Sequence, residues 1–503
     1  MSRSTLQVGR SGPRARRARG ASRGHCVIVA RTLDRGRSIR TEAYGPARVV
    51  VLAVLLSAIV ARGAGAAEVT RVLTGFDEKK RFDFNVSVAW IHDQKRAILD
   101  RELSSTTTRL VNDLIYNQTR DVLHTRIEMG IMRDIGFHVD LPYVLRDDRS
   151  LNFDRRSTPC VFAGEPGGAP TCVNQDNSTL LRDGILPGAG ESRYGVDARS
   201  NGSDFSAPSS TVFQGPRRSG LEYLGVGLSW AVMNQRRDDA KPTVLLALDA
   251  KLDVSSTMRY DAANPSGNTA VGLGYHQLVG AMSTSKRLGQ MDPYFGIYYL
   301  LPIPGSGSPF DRLPRGSQPY ARPQSRAGVQ FGFEWIPWER PEIGQRLSIE
   351  MRGRGEHRWR GTSRTELWEP LSGSSACTET NSTACRPGID LDLAGDPLQT
   401  PDRPHPGLTE TQSYSTLGAN LGLNVQVGKY TRFRGLFGWS SDLPHFITYA
   451  TAGSDQNGDG RVDSDDPDEA NPAHREALDI PGRRYRVTRS TIWTLVVDMM
   501  AVF

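Results

Sequence analysis

The chain has 503 residues, 38% of them hydrophobic and 23% charged, with 51 Gly and 30 Pro. That hydrophobic content excludes a bundle of membrane helices but not a membrane barrel, whose strands alternate apolar and polar residues. The formal charge of +7 divides unevenly: residues 1–67 hold 13 Arg against Asp34 and Glu42, a net +11, so the remainder carries −4 and lacks the basic excess that nucleic-acid binding needs.

The leader has the parts of an export signal. Arg48 precedes the apolar run Val49 to Val60, and the small residues Ala64 to Ala67 follow. The run is short of the ~20 residues a membrane helix needs but suits a signal-peptide core. Cleavage after Ala66 or Ala67 is expected, and the Arg-rich stretch before Ala47 is best explained by a start codon placed too far upstream. The chain then divides into a leader, 1–67, and a body, 68–503, in which 68–80 is expected as a periplasmic segment.

Next, Arg81 to Ile91 sets Phe82, Phe84, Val86, Val88 and Trp90 on one face and Asp83, Asn85, Ser87 and Ala89 on the other. Strict two-residue alternation of this kind predicts a half-buried strand. His92 to Arg120 is polar and is expected to be partly helical. Val122 to Met132 and Ile135 to Leu145 alternate again about the turn Met132-Arg133-Asp134, which predicts a hairpin.

Arg146 to Arg217 reads as a long loop rich in Ser, Gly, Asn and Asp. Strands are then expected at Leu221–Val232, Thr243–Leu252, Thr269–Lys286, Pro293–Leu301, Ala327–Ile336, Gln345–Glu356, Tyr414–Val427 and Tyr430–Trp439. The last stretch, Tyr485 to Phe503, places Trp493, Leu495, Val497, Met499, Ala501 and Phe503 two apart on one face. An apolar strand with a terminal Phe resembles the C-terminal signal of bacterial outer-membrane barrels, which implies recognition by the barrel-assembly machinery. Alone it would equally suit a buried edge strand.

These segments number about twelve, and their connections alternate long and short. In outer-membrane barrels short turns face the periplasm and long loops face outside. The expected fold is therefore all-β: a transmembrane antiparallel up-and-down β-barrel with long extracellular loops and short periplasmic turns. His124–Arg149, Ser219–Met233 and Ser283–Pro302 resemble the outer-membrane proteins grouped with the meta-pathway of phenol degradation, a family broadly similar to hydrocarbon and fatty-acid transporters. That resemblance implies the fold and the location; it does not assign an aromatic substrate.

Beyond Cys26 in the leader, Cys160, Cys172, Cys377 and Cys385 form two local couples in Gly/Pro/Ser/Thr-rich loops. An exported chain favours two disulfides. Four free thiols or one four-cysteine metal site are the alternatives, although no CxxC spacing supports zinc.

Asp455 to Asp466 (DQNGDGRVDSDD) resembles an EF-hand or dockerin calcium loop. Asp455, Asn457 and Asp459 take positions 1, 3 and 5, Arg461 offers its carbonyl, Asp463 takes position 9 and Asp466 position 12. Loop 453–484 is accordingly expected to bind structural Ca2+ weakly, at ~10⁻⁴ to 10⁻³ M. The bland alternative is a solvated acidic loop.

If the apolar stripes face lipid, Arg126, Glu128, Asp140, Asp249, Lys251, Glu350, Arg352, Arg354 and Glu356 point into the lumen. A mixed-charge lining suits a water-filled path for small solutes, unless the ions pair across the barrel and fill it. The chain has no GxSxG, HExxH or phosphate loop after the leader, and no His is followed by Ser two residues on, so it is expected not to be an enzyme. The functional expectation is a passive outer-membrane channel, with a loop-displaying scaffold for adhesion or partner binding as the alternative. The expected partners are outer-membrane lipid, the assembly machinery and a small solute, with no nucleic acid.

Overall fold

The computed structural model describes residues 67–73, 75–77, 80–104, 108–153, 211–259, 268–310, 320, 322–372, 407–462, 466, 469, 471, 474 and 476–503. All of these fall in one unit, 59–503. The alternating segments become twelve strands: β1 (Phe84–Ser104), β2 (Thr108–Met132), β3 (Ile135–Phe153), β4 (Leu224–Met233), β5 (Thr243–Leu252), β6 (Tyr275–Ser285), β7 (Met291–Pro304), β8 (Arg326–Arg340), β9 (Gln345–Arg358), β10 (Tyr414–Val427), β11 (Thr431–Asp442) and β12 (Tyr485–Val502).

Each strand pairs antiparallel with its neighbours in chain order, and β12 closes on β1 in a register that sets Trp493 opposite Gln94 and Val497 opposite Trp90. The wall is thus a closed ring with no free edge, one of the two ways a backbone can satisfy its hydrogen bonds inside lipid.

The outer surface shows what covers it. Trp90, Trp230, Leu248, Ile297, Phe331, Met351, Leu421, Phe437, Val497 and Met499 are all exposed, around the whole circumference. Leaving such a side chain in water forgoes ~1.5–3 kcal/mol each, so this band belongs in a bilayer. Aromatic residues gather at its two rims: Trp230, Trp335, Tyr430 and Phe503 at the end with short turns, and Tyr299, Trp359, Trp439 and Trp493 at the other. Ten residues separate Trp493 from Phe503; at ~3.3 Å per residue and a tilt of ~40° they span ~25 Å, the height of an outer-membrane barrel's apolar belt.

The turn end is tightly organised. Asp134 sits at φ 61°, a left-handed conformation that Asp tolerates. Its carboxylate accepts from Asn234 Nδ2 at 2.7 Å and Arg237 Nε at 2.6 Å, tying the β2–β3 turn to the β4–β5 turn.

At the loop end the sequence reading needs correction. Residues 92–104 and 108–120 are not helical: β1 and β2 run on as a ladder from His92 opposite Asp121 to Ser104 opposite Thr108, with one register shift at Leu99/Asp100. A crossing needs ~9–11 residues, so the surplus of β1, β2 and β3 stands clear of the apolar belt. No lipid constrains its outer face there, which is why the alternation fades. Its apolar residues pack instead into a cap where Leu99, Leu114, Leu151, Phe213 and Tyr485 are fully buried. Met258, Phe310, Trp368 and Leu408 form a second cluster, with Leu273 and Tyr275 against it. Beside it the buried Arg218 Nε pairs with Glu369 Oε1 at 2.8 Å.

The segment before the barrel enters its turn end. Within 68–80, Val69, Arg71 and Leu73 line the lumen, and Gly75–Asp77 then pairs with Lys80–Phe82. The leader, residues 1–66, and the cysteines Cys160, Cys172, Cys377 and Cys385 lie outside the described residues.

Candidate functional site: the barrel lumen

Inward-facing positions of the strands enclose a cavity of about 1130 Å³. Arg126, Glu128, Asp249, Arg352, Arg354 and Glu356 line it. Asp140 and Glu350 sit immediately behind, bonded to lining residues, and Lys251 stands at the loop end of β5 with its ammonium 4.9 Å from the Tyr223 ring centroid.

The charges are paired along the wall rather than across the space. On β2 and β3, Glu128 accepts from Arg126 Nε at 2.7 Å, and Arg126 Nη1 lies 3.6 Å from Asp140. Asp140 is also 3.4 Å from His124 and 3.5 Å from His138. His138 Nε2 then lies 2.9 Å from Asp249 Oδ1 on β5, close enough for attraction but without an aligned hydrogen bond. Gly227 of β4 lies between these strands; a Cβ there would fall 2.1 Å from Asp249 Oδ1 and 2.4 Å from the His138 ring, so its absence lets the pair meet.

A second network covers β7 to β11. Glu350 accepts from the Tyr294 hydroxyl at 2.6 Å and from Arg434 Nη2 at 2.7 Å, and also pairs with Arg352. Glu356 accepts from Arg358 at 2.7 Å and from the Tyr298 hydroxyl. The Tyr298 ring lies over Gly328, where a Cβ would come within 2.1 Å of it. Arg354 donates to Ser440 Oγ at 2.9 Å rather than to a carboxylate.

Among the described residues eight Lys or Arg and six Asp or Glu line the cavity, with Asp140 and Glu350 behind it paired to lining arginines. A balanced, fixed set of dipoles and charges solvates ions of either sign without trapping one. This matters for permeation, since a site that binds too tightly does not release.

Several lining residues escaped the sequence reading. Asp93, Lys95, Arg120 and Asp442 line the upper lumen, and Lys95 Nζ lies 2.8 Å from Glu366 and 2.9 Å from Asp442. Asp93 and Lys95 continue the alternation of β1 past His92, so extending the same period would have found them.

The N-terminal segment crosses the lumen at the turn end. Thr70 Oγ1 lies 2.5 Å from Ser285 Oγ on β6, while Arg71 Nη2 donates to Glu128 Oε2 at 2.5 Å and Nη1 to Met500 Sδ of β12. In a ring of twelve, β6 and β12 are opposite walls. Leu73 packs on Gly136 of β3, where a Cβ would lie 2.8 Å from its Cδ1.

In the loop before β12, Asp455 Oδ1 and Oδ2 accept from the N–H groups of Gly458 at 2.6 Å and Gly460 at 2.8 Å. Asn457 Oδ1 accepts from Asp459 N–H, and Asp459 Oδ1 from Arg461 N–H, each at 2.8 Å. Gly458 and Gly460 take φ of 80° and 84°. Buried Glu469 accepts from the N–H groups of Gln456 and Asn457, both at 3.1 Å. Asp466 is described and Asp463 is not. Among the described residues no three His, Cys, Asp or Glu side chains gather as a metal site.

No family model matches the chain, and no curated protein matches it in sequence. Solved structures do resemble it in fold. An outer membrane channel from Pseudomonas putida F1 is 9% identical, with 88% of this chain and 100% of that one covered and a TM-score of 0.36. A Pseudomonas aeruginosa FadL homologue is 8% identical over 84% and 90%, with a TM-score of 0.27. The outer membrane protease OmpT from Escherichia coli is 6% identical over 86% and 100%, with a TM-score of 0.26. The expectation of a non-enzyme is corrected: an outer membrane protease stands among the similar structures, and the chain is not assigned as a non-enzyme. These likenesses speak to fold alone.

Proposed function

We propose that the chain is a bacterial outer-membrane channel that passes small solutes passively along its mixed-charge lumen, with the short turns in the periplasm and the loop cap outside. The single observation behind this reading is a cavity of about 1130 Å³ with charged walls inside a barrel whose exterior is apolar. Charges kept in lipid without water are expensive and mark solute paths by default. Segment 67–73 narrows the periplasmic mouth, so passage is expected to depend on its displacement. Swelling of proteoliposomes in isosmotic sugars and amino acids tests the reading: entry of small polar solutes supports it, and impermeability of both the wild type and a variant lacking residues 68–73 refutes it.

The same reading includes two subsidiary assignments. The apolar face of β12, ending in Phe503, is the signal that the assembly machinery would read. Loop 453–484 would hold Ca2+ through Asp455, Asn457, Asp459, the Arg461 carbonyl, Asp463 and Asp466. The donors at positions 1, 3 and 5 already curl about the backbone through two left-handed glycines, and each carboxylate oxygen retains a lone pair beyond the N–H it accepts. When bound, the ion would order this loop.

A further inference from the structure

Above the lumen, under the loop cap, lies a second cavity of about 200 Å³. One side is apolar, made by Met258, Leu273, Tyr275 and Phe310, with the Tyr275 and Phe310 rings edge to face at 5.3 Å. Among the described residues the rest carries five Lys or Arg against a single carboxylate, Glu366. Three of those cations are neutralised: Arg149 by Asp147 at 2.6 Å, Arg358 by Glu356 at 2.7 Å, and Lys95 by Glu366 at 2.8 Å.

Arg326 and Arg364 are not. Among the described residues neither forms an ion pair, and the Nε of each is buried without a hydrogen-bond partner. Arg364 donates from Nη2 to the Met258 carbonyl at 3.1 Å and from Nη1 to the Leu273 carbonyl, which fixes it against the Phe310 and Trp368 rings. The Asp253 carboxylate nearby accepts from Gly274 N–H at 2.6 Å instead. Burial, with Arg149 and Arg218 close by, pulls the Arg364 guanidinium down to about 10, so it is charged at neutral pH.

Glu356 acts on Arg326 and Asp253 on Arg364 only beyond ion-pair distance. A guanidinium whose buried Nε has no direct partner is costly, and an anion that pairs with it recovers part of that cost. We propose that this cavity binds a compact organic anion, one carboxylate on an apolar body, with its head between Arg326 and Arg364 and its body against Met258, Leu273, Tyr275 and Phe310. The volume lies below the ~300–1,000 Å³ of drug-sized sites, which restricts the ligand to a small one. Lys95 and Arg358 line both this cavity and the lumen, so the two chambers share a wall. Loading the lumen from this chamber rests on the channel reading; the binding itself does not.

The test uses full-length protein in phosphatidylcholine nanodiscs, with benzoate as the anion and benzyl alcohol as its neutral counterpart. Saturable benzoate binding at least tenfold tighter than benzyl alcohol is expected, with Arg326→Gln and Arg364→Gln each weakening benzoate tenfold or more and leaving benzyl alcohol unchanged. Equal affinity for the two probes, or no benzoate binding, overturns the proposal on the wild type alone. Arg364→Gln also removes backbone contacts, so a heat-modifiable gel band checks its barrel, and Arg326→Gln decides the matter if that band is lost. Conductance of the same protein separates the two claims: binding without conductance refutes the channel and keeps the site, and conductance without binding does the reverse.

Discussion

Arg71 and Glu128 meet at 2.5 Å inside the lumen, joining a segment that precedes the barrel to the inner face of β2. They lie 57 positions apart in sequence, and neither the pattern of segment 68–80 nor that of the strand announces the other. The contact helps hold the segment across the turn end of the lumen, together with the Thr70–Ser285 hydrogen bond and the contact of Arg71 with Met500.

Arg71→Ala should therefore loosen the segment. A hydrogen bond to a charged group is worth about 2 kcal/mol, and Glu128 keeps Arg126 as a partner, so the barrel itself should remain intact. Larger and noisier single-channel currents than wild type are expected in planar bilayers. Unchanged currents would mean that 67–73 does not restrict the path.

The two faces of β12 give a paired test of what each side touches. Val497 is 52% exposed on the outer wall near mid-belt, whereas Val496 lines the lumen. Val497→Arg should cost ~2–4 kcal/mol, the penalty for an arginine at the bilayer midplane, and Val496→Arg much less. Urea unfolding in lipid vesicles, followed by loss of the heat-modifiable band, measures both. Equal penalties would place water or protein, not lipid, against Val497.

Acid should release the cap at one identifiable point. Glu102, on the extension of β1, accepts from Arg484 Nε at 2.9 Å and Nη2 at 2.8 Å and from Gly482 N–H at 2.9 Å. Burial alone would push its carboxyl up; the Arg484 guanidinium and the Gly482 N–H outweigh that and hold it below the usual carboxylate range. A depressed acid contributes stability at neutral pH that is lost as pH falls below its unfolded value of ~4.3 and through its folded value. Hydrogen exchange around residues 480–487 should rise across that window in wild type and be raised already at pH 7 in Glu102→Gln.

Calcium should protect the loop before β12. Trypsin cleavage after Arg461, which is exposed, is expected to slow several-fold in ~5 mM Ca2+, a concentration above the ~10⁻³ M limit for weak extracellular sites. Asp455→Ala should abolish the protection. Calcium-independent cleavage in wild type would leave the motif as a solvated acidic loop.

The barrel was legible in the sequence because lipid imposes a strict period. Strands β5 and β10 fall at the residues expected, Thr243–Leu252 and Tyr414–Val427, since both faces are constrained along their whole length. Legibility ends where the lipid ends. The upper halves of β1 and β2 bury Leu99 and Leu114 in the cap while leaving mixed residues outside, so periodicity failed and a polar helix looked plausible. Within the lumen, alternation identifies who faces inward, as for Arg126 and Glu356, but not who pairs with whom. Contacts such as His138 with Asp249 depend on strands brought together only by closure, and on a glycine whose use is invisible until its neighbours are placed.

Single-channel recording of the purified protein in planar bilayers addresses the central claim most directly. The structure predicts discrete, ohmic steps with little preference between cations and anions, as the balanced lining requires, and larger steps for Arg71→Ala. Silent bilayers for both the wild type and Arg71→Ala, from protein that carries the heat-modifiable band, would contradict a water-filled path through this barrel.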